Sequence, residues 1–228
     1  MNKNALINLL PQQNQESVLA NAELVELNLS QTICIVGKPT THIFFPINCF
    51  ISITQGIDHY PPIEIGMIGR EGLLGAETAL GISTNPFSAL VQGAGSAWKL
   101  ESQFFLSQIS SSPELKEIIN TYLAVRINQL GLSAACEHFH EIGPRLAKWL
   151  LMSQDRAQSP TFRMTHEFIS LMLGIRRVGV TTTAADFRRR GLIEYHRGEI
   201  KILNRPALKA EACSCYIKNQ KIYSSLIG

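Results

Sequence analysis

Arginine is concentrated in one predicted helix of this chain, residues 175–190, and guanidinium groups suit the binding of phosphates and base edges. The five arginines of this helix are Arg176, Arg177, Arg188, Arg189 and Arg190. The face that we expect to point outward carries the side chains of Arg177, Val178, Thr181, Thr182 and Ala185. Arginine reads guanine through two hydrogen bonds, and threonine contacts thymine methyl groups or phosphates. These residue types favour nucleic-acid recognition over catalysis.

A second predicted helix, residues 165–173, precedes the arginine-rich helix with almost no loop between them. Thr165 suits its N-cap, Gly174 suits the corner because positive φ is common there, and Ser170 is small enough for close approach. A shared core is expected for Ile169, Leu173, Ile175 and Val180. Gly179 costs the arginine-rich helix about 1 kcal/mol relative to alanine. Close approach to a DNA backbone would explain this glycine, and so would a packing requirement.

A hairpin is predicted directly after the two helices, over residues 192–203 around Arg197-Gly198. Two helices and a hairpin in this order indicate a winged helix-turn-helix, which places its second helix in the DNA major groove. The residues predicted to read bases are Arg177, Val178, Thr181 and Thr182. Those predicted to bind phosphates are Arg176, Arg188, His196, Arg197 and Lys201. The alternative is an ordinary helical pair with a basic, solvated face.

The charge of the chain is divided between its two parts. From Gly143 onward there are 15 Lys and Arg against 6 Asp and Glu, whereas residues 1–142 hold 6 and 12. The net charge of +3 therefore combines an acidic front with a basic back. A basic C-terminal part is the electrostatic pattern expected of a nucleic-acid binder.

Composition indicates a folded protein, since 45% of the 228 residues are hydrophobic and 17% are charged. No apolar run is long enough to span a membrane, and residues 1–15 do not resemble a signal peptide. We therefore expect a cytoplasmic protein. Five scattered cysteines predict a reduced, structural role, with no metal site and no cofactor. The motifs of phosphate loops, metalloproteases and nucleophile elbows are missing from the sequence, so we expect no enzyme.

Short alternating apolar runs between residues 25 and 100 predict an antiparallel sandwich or barrel. The predicted strands are 25–29, 32–36, 42–45, 51–54, 63–68, 88–91 and 96–100. Short helices are predicted before them, at 5–10 and 15–27, and after them, at 102–110.

The longest helical pattern, residues 113–140, is apolar on two sides and therefore needs two covers. One side has coiled-coil spacing and is the predicted dimer interface, namely Ile118, Tyr122, Val125, Gln129 and Leu132. The other side carries Leu115, Ile119, Leu123, Ile127 and Leu130. One cover is expected to be the barrel and the other the same helix of a second subunit; the alternative is a core helix of a single chain.

Gly143-Pro144 ends this helix, and residues 145–156 predict an amphipathic helix followed by a loop at 157–163. The fold class is α+β, in three parts. They are an N-terminal antiparallel β-roll with flanking helices at 1–111, a long dimerisation helix and hinge at 112–141, and a C-terminal winged helix-turn-helix at 142–228.

This order of parts resembles the Crp/Fnr family of bacterial transcription regulators over nearly the whole chain. The stretches that carry the resemblance are 145–152, 165–174 with Arg176-Arg177, and 191–193 leading into Arg197-Gly198 and 200–203. The resemblance implies a homodimer joined by the long helix. It also implies binding to double-stranded DNA at a two-fold symmetric operator, with half-sites about one helical turn apart.

The resemblance also implies which positions read bases. Aligned on Gly174 and Val180, three reading positions of the family fall on Arg177, Val178 and Thr182. Arg177 keeps the family's arginine, whereas Val178 replaces a glutamate and Thr182 an arginine. A valine can contact a thymine methyl but cannot accept from a cytosine amine, so the operator sequence should differ.

The family's cyclic-nucleotide cassette uses a glycine–acid pair for the ribose and an arginine–serine pair for the cyclic phosphate. In this chain Ala76 occupies the acid position, with Glu77 one residue late, and Phe87 occupies the arginine position. An anion that leaves water needs a paired cation, and residues 72–94 contain no basic residue. We therefore expect no control by cyclic AMP or cyclic GMP.

The same region still marks a candidate effector pocket, formed by Gly75, Ala76, Glu77, Phe87 and Ser88, with Asn85 and Gln92 as further lining. The alternative is that the roll is only a dimer scaffold. The effector is unknown, and RNA polymerase is a candidate partner. The alternative function is a small-molecule-binding or scaffolding module whose helix-turn-helix contacts protein.

The hinge segment 136–141 is rich in side chains that can bind metals. Cys136 and His140 share a helix face at four-residue spacing. Capping and interdomain hydrogen bonds are the favoured interpretation.

Overall fold

The computed structural model describes residues 4–227, and the chain divides into two compact units. The first unit comprises residues 4–53, 67–128 and 223–227, and the second comprises 54–66 and 129–222. Residues 1–3 and 228, which the predicted domain boundaries include, lie outside the described residues. No helix within 4–227 is long and apolar enough to cross a membrane.

Two sheets form the roll, a three-stranded one in the order β1-β7-β3 and a four-stranded one in the order β2-β6-β4-β5. The strands are β1 (Glu23–Leu27), β2 (Thr32–Cys34), β3 (His42–Pro46), β4 (Phe50–Gln55), β5 (Ile63–Ile68), β6 (Ser88–Gly93) and β7 (Gly95–Glu101). All seven predicted strands are confirmed, within two residues at each end. Strand β7 pairs antiparallel with both β1 and β3, as a roll requires.

Helices flank the strands of the roll and close its core. They are α1 (Ala5–Leu9), α2 (Gln12–Asn21), α3 (Ser102–Ser111), α4 (Pro113–Phe139) and a short 3-10 helix (Ala76–Leu80). The rings of Phe45 and Phe105 meet edge to face at 6.4 Å inside this core. The predicted helix 15–27 is wrong beyond Asn21, because the chain turns extended at Ala22 and enters β1.

The predicted dimer interface on α4 needs correction. Tyr122 and Val125 are 2% and 0% exposed within a single chain, and Ile118 packs against the core of the roll. Tyr122 donates a hydrogen bond to the Leu73 carbonyl (3.1 Å) and accepts one from the Leu73 amide (3.2 Å). The coiled-coil spacing therefore marks the inner face of the helix. Gln129 and Leu132 are half-buried, and Leu132 packs against buried cysteines.

The second unit contains a helix-turn-helix and a three-stranded sheet in the order β8-β10-β9. Its elements are α5 (Ile142–Ala157), β8 (Thr161–Arg163), α6 (His166–Met172), α7 (Arg177–Arg189), β9 (Ile193–His196), β10 (Glu199–Ile202), α8 (Arg205–Glu211) and α9 (Cys215–Leu226). The prediction of a loop throughout 157–163 is wrong, because Thr161–Arg163 pairs with β10 as a third strand. The second helix also begins at Arg177 rather than Ile175, since Arg176 is its extended N-cap.

Candidate nucleic-acid interface

The corner between α6 and α7 is fixed by local hydrogen bonds and one left-handed glycine. The Thr165 side chain accepts from the Phe168 amide (3.1 Å), which confirms the predicted N-cap. Gly174 has φ of 61°, as predicted, and the next amide, of Ile175, donates to the Ser170 carbonyl (3.0 Å). A side chain at position 174 would be strained by this φ and would bring a Cβ within 3.1 Å of Ile63.

Helix α7 has one buried face and one exposed face. Val180, Ala184 and Phe187 are 0–6% exposed and hold the helix on its unit. The opposite side chains predicted to point outward are all exposed, namely Arg177, Val178, Thr181, Thr182 and Ala185. Val178 is 67% exposed although it is apolar, so residues 4–227 leave most of it uncovered. The periodicity of the helix therefore presents one face free for contact.

Gly179 has a packing explanation. A Cβ at this position would approach the Cδ1 of Ile142 to 3.0 Å, which is tighter than ordinary contact. Close packing of α7 on the first turn of α5 accounts for the glycine without a DNA backbone.

The arginines of α7 fall into two groups. Arg189 and Arg190 pair with Asp186 at 2.5 Å and 3.2 Å, and Arg190 also pairs with Glu211. Hydrogen bonds from Arg190, and then from Arg189, lower the pKa of Asp186, so its carboxylate stays ionised. Arg176, Arg177 and Arg188 are exposed and form no ion pair with any residue in 4–227. The second group is therefore the one available to an external anion.

The wing is a tight hairpin whose turn residues, Arg197 and Gly198, have φ of 48° and 79°. Two consecutive positive φ values are the mark of a type I′ turn, which matches the twist of the flanking strands. His196, Arg197 and Lys201, all predicted to bind phosphates, are exposed on this hairpin. The structure thus places basic side chains on the wing as well as on α7.

His166 joins the helix-turn-helix to the wing, and sequence reasoning missed it. Its ring stacks on Tyr195 with centroids 4.1 Å apart, and its Nδ1 lies 3.1 Å from the Thr181 hydroxyl. Burial, and then the charge of Arg177, lower the pKa of His166 below its usual 6.5. The His166 imidazole therefore contacts and orients Thr181, one of the predicted base-reading residues. Nothing in the periodicity of α6 distinguishes this histidine from a solvated one.

Buried polar side chains of α5 form hydrogen bonds that hold the region around the corner between α6 and α7. Arg145, 7% exposed, donates to the Leu173 carbonyl (2.6 Å) at the end of α6 and pairs with Glu137. Trp149 donates through Nε1 to Glu64 (2.9 Å). A buried charge that lost its partner would be costly, so the Arg145–Leu173 contact makes the corner rigid.

Two clefts on the roll are lined by residues other than those of the candidate effector pocket. Gly75 and Ala76 are buried, and Ser88 accepts a hydrogen bond from the Val36 amide (3.0 Å). Two clefts of about 470 Å³ and 290 Å³ open on the roll, and both are lined by Pro39, Thr40, Thr41 and His42. None of the five predicted residues lines either of these two clefts, although Asn85 lines the smaller one.

The side-chain amides of Asn85 and Gln92 form hydrogen bonds inside the roll. Asn85 donates to the Lys38 carbonyl (3.0 Å) and accepts from the Thr40 hydroxyl (3.0 Å). Gln92 accepts from Ser52 (2.5 Å). Asn85 therefore joins two loops of the roll, and Gln92 joins β6 to β4.

A cluster of one histidine and three cysteines forms in the second unit. Its members are Cys136, His140, Cys213 and Cys215. Sequence reasoning paired Cys136 with His140 on one helix face but had no means of bringing the Cys-x-Cys segment to them.

The structural class is thus a β-roll joined by a long helix to a winged helix-turn-helix with an exposed, basic second helix. Residues 144–211 match the family model of the Crp-like helix-turn-helix domain. The chain thus carries a Crp-like helix-turn-helix domain, and its fold is similar to that of solved regulators of the Crp/Fnr family.

Three relatives illustrate how far the likeness extends. The global nitrogen regulator of Synechococcus elongatus is 20% identical over 198 residues, covering 83% of this chain and 89% of that protein. FixK2 from Bradyrhizobium japonicum superposes with a TM-score of 0.72 at 12% identity, covering 85% of this chain and 98% of its own. TTHB099, a transcriptional regulator of the CRP family from Thermus thermophilus, gives a TM-score of 0.69 at 19% identity, covering 82% and 96%. The likeness confirms the predicted α+β fold.

Proposed function

We propose that this protein is a sequence-specific DNA-binding transcription regulator. It binds a two-fold symmetric operator as a homodimer, and cyclic AMP does not control it. The single observation that carries the proposal is the free face of α7, where five outward side chains are exposed while the opposite face is buried. Arg177 is the base reader, because a guanidinium pairs with guanine O6 and N7.

The positive charges at the start of α7 favour the binding of an external anion. Arg176 is the N-cap and Arg177 the first helical residue, and the first turn contains no acidic residue. Cations at the positive end of a helix dipole cost roughly 0.3–1 kcal/mol each. A phosphate at this end would remove that cost and accept hydrogen bonds from the unpaired backbone amides. The exposed wing residues Arg197 and Lys201 would bind neighbouring phosphates.

The proposed dimer contact lies on the exposed side of α4 and not on the face with coiled-coil spacing. Ile127 is 67% exposed, and Gly131 and Ala134 are exposed at four and seven residues beyond it, on the same helix face. Small side chains around one large apolar group permit close approach of two helices. A second copy of α4 is the occupant that two-fold symmetry would supply.

The roll offers poor chemistry for a cyclic phosphate. Phe87 stands where the family has an arginine, and residues 72–94 include no cation. Burial, and then the charge of nearby Glu77, raise the pKa of Cys34 to about 11, so the ionisable group beside this thiol is an acid and not a base. A buried phosphate here would lack the paired cation that it requires.

Selection of binding sites from random duplex DNA tests the proposal. The full-length protein should enrich a two-fold symmetric sequence with half-sites about one helical turn apart. Arg177→Ala should weaken binding by about 1–3 kcal/mol and relax one position of each half-site. Lys209→Ala, which removes the same charge from the exposed surface of α8, is the matched control and should keep the sequence preference. Failure to enrich any sequence would refute the proposed function.

A further inference from the structure

The histidine and three cysteines of the second unit form a compact set of soft ligands. The Sγ and Nδ1 or Nε2 atoms of Cys136, His140, Cys213 and Cys215 all lie within 4.8 Å of one another. The Sγ atoms of Cys136 and Cys213 are 3.6 Å apart, and Cys215 Sγ lies 3.6 Å from His140 Nδ1. The three cysteines are 0–7% exposed.

The 3.6 Å sulfur–sulfur and sulfur–nitrogen distances are close to the edges of a tetrahedron around one metal ion. Zinc bonds of about 2.3 Å to sulfur and about 2.0 Å to nitrogen place two sulfurs about 3.8 Å apart and a sulfur and nitrogen about 3.5 Å apart. A disulfide would need a sulfur–sulfur distance of about 2.05 Å. In an iron–sulfur cluster the cysteines bind several irons, which separates their sulfurs more widely.

We propose that Cys136, His140, Cys213 and Cys215 bind one zinc ion. Three thiolates and one imidazole are a recurrent ligand set of zinc and complete its four-coordinate shell. A closed shell has no position for water or substrate, so the site is structural. Thiolate-rich tetrahedral geometry also favours zinc over magnesium, calcium or manganese, which prefer oxygen ligands.

The surroundings of the cluster suit a negatively charged metal complex. Zinc with three thiolates and a neutral imidazole carries a net charge of −1, and the buried Lys148 places its Nζ 3.1 Å from Cys136 Sγ. An ammonium that donates to a ligand sulfur orients that sulfur and offsets the negative charge of the metal complex.

The two ligand pairs come from opposite ends of the winged unit. Cys136 and His140 lie one turn apart at the end of α4, where the His140 amide donates to the Cys136 carbonyl (3.1 Å). Cys215 begins α9, and the amide of Cys213 donates to the Pro144 carbonyl (3.3 Å). The helix-turn-helix and the wing lie between these pairs in sequence. The zinc would therefore close the base of the winged unit and stabilise it, because metal binding is coupled to folding.

Metal analysis of the full-length protein, purified without chelators, tests the proposal. We expect one zinc per chain, with X-ray absorption reporting three sulfur and one nitrogen ligands. Cys215→Ser and His140→Gln should lose most of the zinc. Cys34→Ser and His138→Gln are the matched controls and should keep it, because Cys34 lies in the roll and His138 lies outside the cluster.

Two further measurements keep the proposal falsifiable if the ligand variants fail to fold. Cobalt titrated into the metal-free wild-type protein should give the spectrum of a tetrahedral thiolate complex, and EDTA should lower the Tm of the zinc-loaded protein. The proposal is overturned by iron together with inorganic sulfide, by a metal-free protein with a Cys136–Cys213 disulfide in mass spectra, or by full zinc content in both ligand variants. None of these readouts depends on DNA binding.

Discussion

The substitution Tyr122→Phe tests whether the Tyr122 face of α4 packs inside the roll, as observed, or forms the dimer interface, as the sequence predicted. The Tyr122 hydroxyl is buried and makes two hydrogen bonds to Leu73, one to its carbonyl and one from its amide. Without the hydroxyl both backbone groups lose this partner inside the roll. An unsatisfied buried polar group costs about 1–3 kcal/mol. We expect the variant to lose about 2 kcal/mol of stability, because the two bonds share one hydroxyl and their costs do not add in full.

Urea and thermal unfolding of the full-length protein measure this loss. A change of about 2 kcal/mol corresponds to a Tm lower by roughly 4–8 °C for a chain of this size. The oligomeric state, measured by light scattering, should stay that of the wild type. The reverse behaviour is expected of Ile127→Glu, since a charge on this exposed side chain should dissociate the dimer and leave the roll folded. Dissociation by Tyr122→Phe without loss of stability would refute the relocated interface.

Three other results follow from the same contacts. Gly174→Ala should destabilise the chain by about 1–2 kcal/mol in urea unfolding, since left-handed backbone is costly for alanine. Adding Ile63→Ala should remove only the part of this loss that comes from the contact between the new Cβ and Ile63. An unchanged stability of Gly174→Ala would refute the backbone strain. The lowered pKa of His166 means that the unfolded chain takes up its proton first. Stability should therefore decrease as pH falls below about 6.5, and His166→Gln should remove that part of the dependence. Calorimetry with cyclic AMP should detect no binding, and micromolar affinity would contradict the assignment of Phe87 to the arginine position.

Local patterns sufficed for the two helices of the helix-turn-helix and for the wing because these elements are specified by neighbouring residues. Thr165 caps its own helix, Gly174 takes the positive φ that the corner requires, and Arg197-Gly198 supplies the turn of the wing. The short strand Thr161–Arg163 escaped prediction because it depends on pairing with β10, some forty residues later. A three-residue strand carries little periodicity of its own.

The inner face of α4 was misassigned for a related reason. Apolar side chains on two faces of a helix indicate that both faces are covered. They do not show whether the chain itself or a partner covers each face. The Tyr122 hydroxyl donates a hydrogen bond to Leu73, 49 positions away in sequence, and this contact shows that the Tyr122 face packs inside the roll. The exposed face is marked by Ile127 among small residues, a weaker signal than the coiled-coil spacing.

The cysteine cluster lay beyond sequence reasoning because its halves are separated by the whole winged unit. Cys136 and His140 show a ligand pair at helical spacing, and Cys213 and Cys215 show a second pair. Only the fold brings the four side chains within 4.8 Å. Two ligand pairs that flank one compact unit are a signal worth seeking in other sequences.

The central claim is that Arg177 on the exposed face of α7 touches a base of the operator. A double-mutant cycle measures this contact directly, with Arg177→Ala combined with 7-deazaguanine at each guanine of the selected site. The wild type should lose about 1–3 kcal/mol at one guanine of each half-site, and the variant should lose almost nothing there. An equal loss at every guanine in both proteins would contradict the claim.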